Sequence, residues 1–384
     1  MTEKLYDNGT LYNFDARVIA CNKGKNGYEI ILGRTAFFAE GGGQAADTGT
    51  IGGVRINDVQ DINGESVHYA DSAIEVGTEV HCAVNGEIRF RRMQNHTGEH
   101  LLTGIIHNRF GYNNVGFHLG SLDVILDLDG QLTDSELREC ELAANKAIAE
   151  DRAVTISYPD TETLRTLEYR SKLELTENVR LVTIEGYDVC ACCAPHVDST
   201  GKIGMIKVIS RENYKGGTRI RLLCGLDALD DYNKRLESVY AVSRLISSKP
   251  DEIAENVRKL ADENAALKFE LNKAERERAE EIISSLKNDD RRSICIFTSA
   301  MNTDILRKIA NEGVKLTDGM FGIFADKNGG YSYIIASENI NMREMSREIN
   351  ETLSGRGGGS PKMIQGSVSA DRKTIEEYFK SVRF

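Results

Sequence analysis

The sequence predicts a multidomain α+β protein. A β-rich, barrel-like N-terminal domain is expected over residues 1–90, a metal-centred α+β domain over 91–225, a long helical segment over 226–290 and a small α/β domain over 291–384. Three observations carry this division. The N-terminal region consists of short β-like runs between Gly, Asn and Asp, with no helix-length apolar period. Two pairs of side chains at i, i+4 spacing, His96 with His100 and Cys192 with His196, supply three imidazoles and a thiolate, a set that suits one zinc ion per chain. A stripe with coiled-coil spacing then runs through Val257, Leu260, Asn264, Leu267, Leu271 and Ala274.

The elements follow in order. RVIAC, YEIIL and EVHCAV read as strands. From Arg91 onward Met93, Leu101, Leu102, Ile105, Ile106 and Phe110 recur at helical spacing, which places His96 and His100 on one face, a turn apart. VILDLDG reads as a strand. Thr133 is an N-cap for the next helix, and Glu136 completes a capping box. Residues 179–184, 203–209 and 218–223 read as strands, and about 226–287 as one continuous helix. In that helix Asn264 occupies a core-facing position, where a polar residue fixes register or partner. The stripe predicts a spacer that also forms a homodimer. The last region alternates strand-like and helix-like stretches, as a small α/β domain does.

Composition limits the function classes. The chain of 384 residues is 40% hydrophobic and 28% charged, the profile of a globular protein large enough for several cores. MTEKLYDNGT has no apolar run and no stretch approaches a membrane span, so a cytoplasmic protein without membrane association is expected. Eight cysteines in that setting read as thiols and metal ligands. A net charge of −11 argues against indiscriminate polyanion binding but permits local basic patches. One such stretch is Lys202, Lys207, Arg211, Lys215, Arg219 and Arg221; Arg356 and Lys362 flank a second.

Two motifs admit more than one chemistry. HTGEH also fits the inverted zinc-peptidase pattern HxxEH, with Glu99 as general base, although the Cys192 and His196 pair adds donors that such a peptidase does not need. Pro195 disfavours a regular helix across CACCAPH, so spacing does not by itself choose among Cys190, Cys192 and Cys193. In SGRGGGSPK, Gly357, Gly358 and Gly359 leave backbone N–H groups open to a phosphate or ribose, or simply form a flexible loop.

Taken together the motifs resemble one family. TAFFAEGGGQAADTG is similar to the TPFYAESGGQxxDxG segment of alanyl-tRNA synthetase editing domains, HTGEHLL to their zinc HxxxH, and CCAPHVDSTGKIGMIKV to their CxxxH stretch. SGRGGGSPKMIQGS resembles the glycine-rich segment of the C-terminal DHHA1 domain. The chain begins where the editing part of the synthetase begins, so the resemblance implies a freestanding, large AlaX-type trans-editing deacylase. It implies hydrolysis of mischarged tRNA(Ala) carrying serine or glycine, with His96, His100, Cys192 and His196 as zinc ligands. Thr35 and Gln44 are then the catalytic and substrate-contacting polar groups, and Arg356, Gly357, Gly358, Gly359 and Lys362 the tRNA contacts. The chain departs from the pattern at Gly41, where the family often has serine, and at Ala45 and Ala46. The reading of a different class is a catalytically silent, dimeric RNA-binding protein with a structural zinc.

Overall fold

The computed structural model describes residues 2–25, 27–120, 123–171, 179–287 and 293–382. It divides into two compact units, Met1–Val239 and Tyr240–Phe384. The boundary expected near residue 290 falls outside the described residues.

Eight strands open the first unit: β1 (Glu3–Lys4), β2 (Asn13–Gly24), β3 (Gly27–Leu32), β4 (Arg34–Thr35), β5 (Gly49–Ile51), β6 (Val54–Ile62), β7 (Glu65–Ala70) and β8 (Glu79–Val84). Six close into a barrel in the order β2-β3-β7-β6-β5-β8, with every neighbouring pair antiparallel. The period of two explains it. In β2 the side chains of Phe14, Ala16 and Val18 are buried between exposed neighbours, and in β8 Val80, Cys82 and Val84 are buried between exposed or half-buried ones. They join Ile30, Leu32, Ile51, Ile56 and Val59 in one core.

The helix α1 (Gly86–Phe110) follows. It starts more than a turn before residue 91, because Asn85 caps it by accepting the Ile88 N–H, a signal the apolar pattern does not carry. Gly111, at φ 73°, ends it in the left-handed conformation. Next come β9 (Asn114–Leu119), β10 (Val124–Leu128), α2 (Asp134–Ala149), β11 (Val154–Ser157), α3 (Thr161–Thr166), β12 (Leu181–Ile184), β13 (Asp188–Ala191), β14 (Ile206–Tyr214) and β15 (Gly217–Cys224). Thr133 and Glu136 form the expected capping box on α2. The strands make an antiparallel sheet β14-β15-β10-β9 and a three-stranded sheet β11-β12-β13. Met93, Leu101, Leu102 and Ile106 of α1 pack with Leu126, Cys140, Ala144 and Ile220 in a second core.

The expected continuous helix over 226–287 is broken. Helix α4 (Gly225–Leu245) stops, a 3-10 turn spans Pro250–Glu252, and α5 (Ile253–Ser285) begins anew. Ser247 has φ 51°, and Pro250 holds Lys249 extended, at ψ 150°. Along α5 the stripe residues Val257, Leu260, Leu267 and Leu271 are 46–70% exposed, whereas Ala279, Ile282 and Ile283 pack into the core of the second unit.

That unit continues with β16 (Ile294–Thr298), α6 (Thr303–Gly313), β17 (Phe321–Lys327), β18 (Gly330–Ala336), α7 (Met342–Thr352), β19 (Gly355–Gly359), β20 (Met363–Val368) and α8 (Arg372–Ser381). Its mixed sheet runs β16-β17-β18-β20-β19, with only β16 and β17 parallel. Helices α5 and α6 cover one core, containing Ile309, Ile323 and Ile334; α7 and α8 cover the other, containing Phe324, Tyr333 and Ile349. The glycine-rich segment is not a loop. It is the edge strand β19, and two of its three consecutive glycines are forced by close packing: a Cβ on Gly357 would lie 2.2 Å from the Tyr333 hydroxyl, and one on Gly359 2.3 Å from the Met363 carbonyl. Among the described residues no helix is long and apolar enough to cross a membrane.

In the first unit the barrel and α1 meet at a buried ion pair. Arg89, fully buried, pairs with Asp47 and donates to the carbonyls of Ala36 (2.5 Å) and Gly9 (3.4 Å), while Asp47 also accepts the Phe38 N–H at 2.7 Å. Asp47→Ala strands the guanidinium and is expected to destabilise the protein by ~3–5 kcal/mol. Urea unfolding followed by circular dichroism measures it; a loss below ~1 kcal/mol would contradict this assignment.

Candidate metal centre and cleft

Helix α1 presents His96 and His100 from successive turns, and the loop after β13 presents Cys192 and His196. One donor atom from each of the four lies within 4.8 Å of all the others. Cys192 Sγ is 3.5 Å from His96 Nε2 and 3.3 Å from His196 Nε2. Tetrahedral zinc, with Zn–N of ~2.1 Å and Zn–S of ~2.3 Å, sets its donors roughly 3.4–3.6 Å apart, so this donor set fits the ion. No helix spans Cys192 to His196. The loop is instead pinned by Arg180, which donates to the Cys192 carbonyl (2.7 Å) and the Ala194 carbonyl (3.0 Å), and by the Thr97 hydroxyl, which accepts the Val197 N–H at 3.2 Å. Cys193 is exposed, and Cys190 groups with His100 and Asp188 instead of with all three histidines.

Each imidazole has its own partner at Nδ1, which turns Nε2 toward the cluster. His96 Nδ1 donates to Gln44 Oε1 (2.8 Å), His100 Nδ1 to Asp188 Oδ2 (3.3 Å), and His196 Nδ1 lies 3.0 Å from the Thr97 hydroxyl. Asp188 is itself gripped by Arg170 through two 2.7 Å bonds, which makes it an orienting group and a poor candidate for a ligand. Burial would raise the Cys192 thiol, but His96 and His196 outweigh it and hold it well below the usual thiol range. Burial drives His196 down to about 3 against the pull of Cys192. These are the ligand-ready forms, thiolate and neutral imidazole. Burial also disfavours a charged His100, yet the Cys190 sulfur and Asp188 raise it well above the usual imidazole range, so a metal arriving there must displace a proton. Asp188, Arg170, Thr97 and Arg180 had no signal in ligand spacing; only Thr97 lies inside a motif, HTGEH.

The cluster opens on a cleft of about 1240 Å³, lined among others by His96, Glu99, His100, Asn114, Phe117 and Arg170. The two polar residues expected near the substrate are placed differently. Gln44 touches His96 through Oε1, and its Nε2 is buried with no hydrogen-bond partner among the described residues. Gly42 and Gly43, at φ 60° and 84°, turn the chain into that position, where Gly43 accepts the Leu119 N–H. Thr35 is fully buried in β4. His68 Nδ1 donates to the Ile30 carbonyl (3.0 Å), so its Nε2 accepts from the Thr35 hydroxyl (2.8 Å), which also receives the Phe37 N–H (3.1 Å). Burial lowers His68 to about 4, keeping it neutral in that role.

In the second unit Arg356, Gly357, Gly358 and Gly359 lie along β19, whose outer edge is unpaired among the described strands. Arg356 is exposed and without an ion pair among the described residues; Lys362 is exposed, 3.9 Å from Glu338. The basic stretch after the metal motif is largely neutralised. Lys202 pairs with Asp198, Lys207 with Glu141, Arg211 with Asp134, Arg219 with Asp127 and Arg221 with Asp123, while Lys215 lies over the Tyr214 ring. For Arg219 strand register is the reason: β15 sets it directly opposite Asp127 of β10.

Comparison with known proteins agrees with the motifs. Residues 9–88 match the family described as tRNA synthetases class II (A), and residues 179–221 match the Threonyl and Alanyl tRNA synthetase second additional domain. The alanyl-tRNA editing protein AlaX-L of Pyrococcus horikoshii is 27% identical, over 98% of this chain and 96% of that protein. The alanyl-tRNA editing protein Aarsd1 of Danio rerio is 29% identical, over 95% and 93%. The alanine–tRNA ligase of Methanopyrus kandleri is 28% identical over 94% of this chain, which spans 42% of that ligase. With the barrel, the HxxxH helix and the CxxxH loop in one unit, the chain is similar from end to end to alanyl-tRNA editing proteins, and carries two matches to tRNA-synthetase domain families.

Proposed function

We propose that this chain is a cytoplasmic trans-editing hydrolase that removes the amino acid from mischarged tRNA(Ala), with seryl-tRNA(Ala) and glycyl-tRNA(Ala) as substrates. The observation that carries the reading is the four-donor cluster with an orphaned amide beside it. His96, His100, Cys192 and His196 would hold one zinc ion, and Gln44 Nε2 is a buried donor awaiting an acceptor. When bound, the ion would order the pocket and the substrate end beside it instead of generating hydroxide. Four protein donors would close a tetrahedron, which favours this reading over an HxxEH peptidase, for which an open position is needed.

The chain's own groups supply the rest. The amide of Gln44 donates to an oxygen of the aminoacyl ester or of the attacking water. Asp188, Thr97 and Gln44 keep the imidazoles fixed, so the site need not reorganise during the reaction. An editing site of this kind exists because an alanine pocket rejects serine or glycine poorly, one small group being worth only ~1–3 kcal/mol. A site that hydrogen-bonds the serine hydroxyl penalises alanine, which would leave that polar group unpaired. Gln44 is the better placed of the two expected residues for this. Thr35 would take part only by exchanging its bond with His68.

Cys192→Ala is expected to lose zinc and deacylase activity together, whereas Cys193→Ala keeps about one zinc per chain at full occupancy of the donor set. Metal content by mass spectrometry decides, and zinc loss confined to Cys193→Ala would reverse the ligand choice. Purified protein is expected to deacylate seryl- and glycyl-tRNA(Ala) and to spare alanyl-tRNA(Ala). No hydrolysis of any of the three, with tRNA still bound, would favour the catalytically silent RNA-binding reading instead. The bare stripe on α5 supports a homodimer. Sedimentation should give a dimer for the full chain at micromolar concentration, and a monomer would sink the idea. Arg356→Ala and Lys362→Ala are each expected to lower the log–log salt slope of tRNA binding by roughly one unit while leaving serine selectivity intact. Unchanged slopes would remove β19 from the tRNA interface.

A further inference from the structure

Glu99 stands in the HTGEH motif between the two histidines of α1, 2% exposed, and lines the cleft. One of its oxygens is fixed: Asn114 Nδ2 donates to Oε1 at 2.7 Å, and the Thr103 hydroxyl lies 3.0 Å from the same atom. The other, Oε2, has no hydrogen-bond donor among the described residues and sits 4.0 Å from His100 Nε2. The nearby cation, Arg170, is spent on Asp188 through both of its 2.7 Å bonds. Glu99 does not join the donor set of the metal cluster. A carboxylate fixed through one oxygen, with the other unpaired in a residue that lines the cleft, is set to accept from a cation that enters there.

We propose that Glu99 Oε2 receives the α-ammonium group of the aminoacyl ester, so that the cleft takes free aminoacyl-tRNA and rejects chains whose amine is acylated, as in peptidyl-tRNA. The inference rests on the deacylase reading and adds to it a subsite for a cation. The cleft then offers the ammonium group an acceptor at Glu99, beside His96 and His100, which line the same cleft. A neutral serine hydroxyl does not need a carboxylate, whereas an ammonium group gains a charge-assisted bond, of the stronger class.

The test is binding of two hydrolysis-resistant probes to the zinc-loaded full chain, 3′-serylamino-3′-deoxyadenosine and its N-acetyl derivative, followed by calorimetry. The wild type should bind the free amine about tenfold or more tightly than the acetylated probe, as a charge-assisted bond implies. Glu99→Gln should bring the two within roughly threefold while keeping its zinc, and Asn114→Ala, which loosens the carboxylate without removing it, should narrow the gap part of the way. The proposal falls if the wild type does not discriminate, if Glu99→Gln discriminates as well as the wild type, or if Glu99→Gln loses its zinc, which would make Glu99 a ligand. Should Glu99→Gln not fold, the wild type and Asn114→Ala decide alone. Failure of the deacylase reading shows separately, as wild-type protein that leaves seryl-tRNA(Ala) intact.

Discussion

The buried pair of Arg89 and Asp47 is the constraint on which the geometry of the first unit depends. Arg89 stands one turn into α1, two turns before His96, and reaches into the barrel wall, where Asp47 and the carbonyls of Ala36 and Gly9 fix it. Asp47 simultaneously holds the Phe38 N–H, three residues beyond Thr35, and it follows Gln44 by three residues. One contact therefore sets the azimuth of the helix that carries two donors and the course of the loop that carries Gln44. A guanidinium suits the task because its fork can satisfy a carboxylate and two carbonyls at once, which an ammonium point charge could not do in one geometry.

Around the cluster, specificity of orientation is bought with a different acceptor for each ring. An amide, a carboxylate and a hydroxyl hold the three Nδ1 atoms. Two of the rings are consequently unequal electronically: His100, facing the Asp188 carboxylate, is raised well above the usual imidazole range, while burial drives His196, facing a hydroxyl, down to about 3. Glycines make room for this packing. A Cβ on Gly98 would lie 2.3 Å from Cys224 Sγ, and one on Gly104 2.7 Å from the Asp188 side chain, so the carboxylate behind His100 can approach α1 only where the helix has no side chain.

Much of the site was legible because its donors come in short local patterns: HxxxH on a helix and CxxxH in a loop report their residue types directly. The partners that orient them were not, since Asp188 meets His100 and Arg170 meets Asp188 only after β13 has been laid beside α1, across separations of 88 and 18 residues. The strands of the barrel were legible from alternation, and their closure was not, because pairing β2 with β8 joins residues some seventy positions apart. The helix over 226–287 was overextended because its apolar spacing drew attention from Ser247 and Pro250, whose backbone preferences break it. The basic stretch differs for a related reason: its cations lie close together along the chain, while their carboxylate partners lie on β10, α2 and the loop just after His196.

The three consecutive glycines of β19 are not equivalent, and that bears on how the strand can vary in descent. At Gly357 and Gly359 any side chain collides with the Tyr333 hydroxyl or with backbone, whereas a Cβ at Gly358 would meet nothing within 4 Å. Two of the positions are thus closed to drift and one is open. Since side chains alternate along a strand, a residue gained at position 358 would project from the opposite face to its two neighbours. The edge could thereby acquire or shed a charge, or admit bulk beside its free N–H groups, without disturbing Tyr333 or the core beneath it.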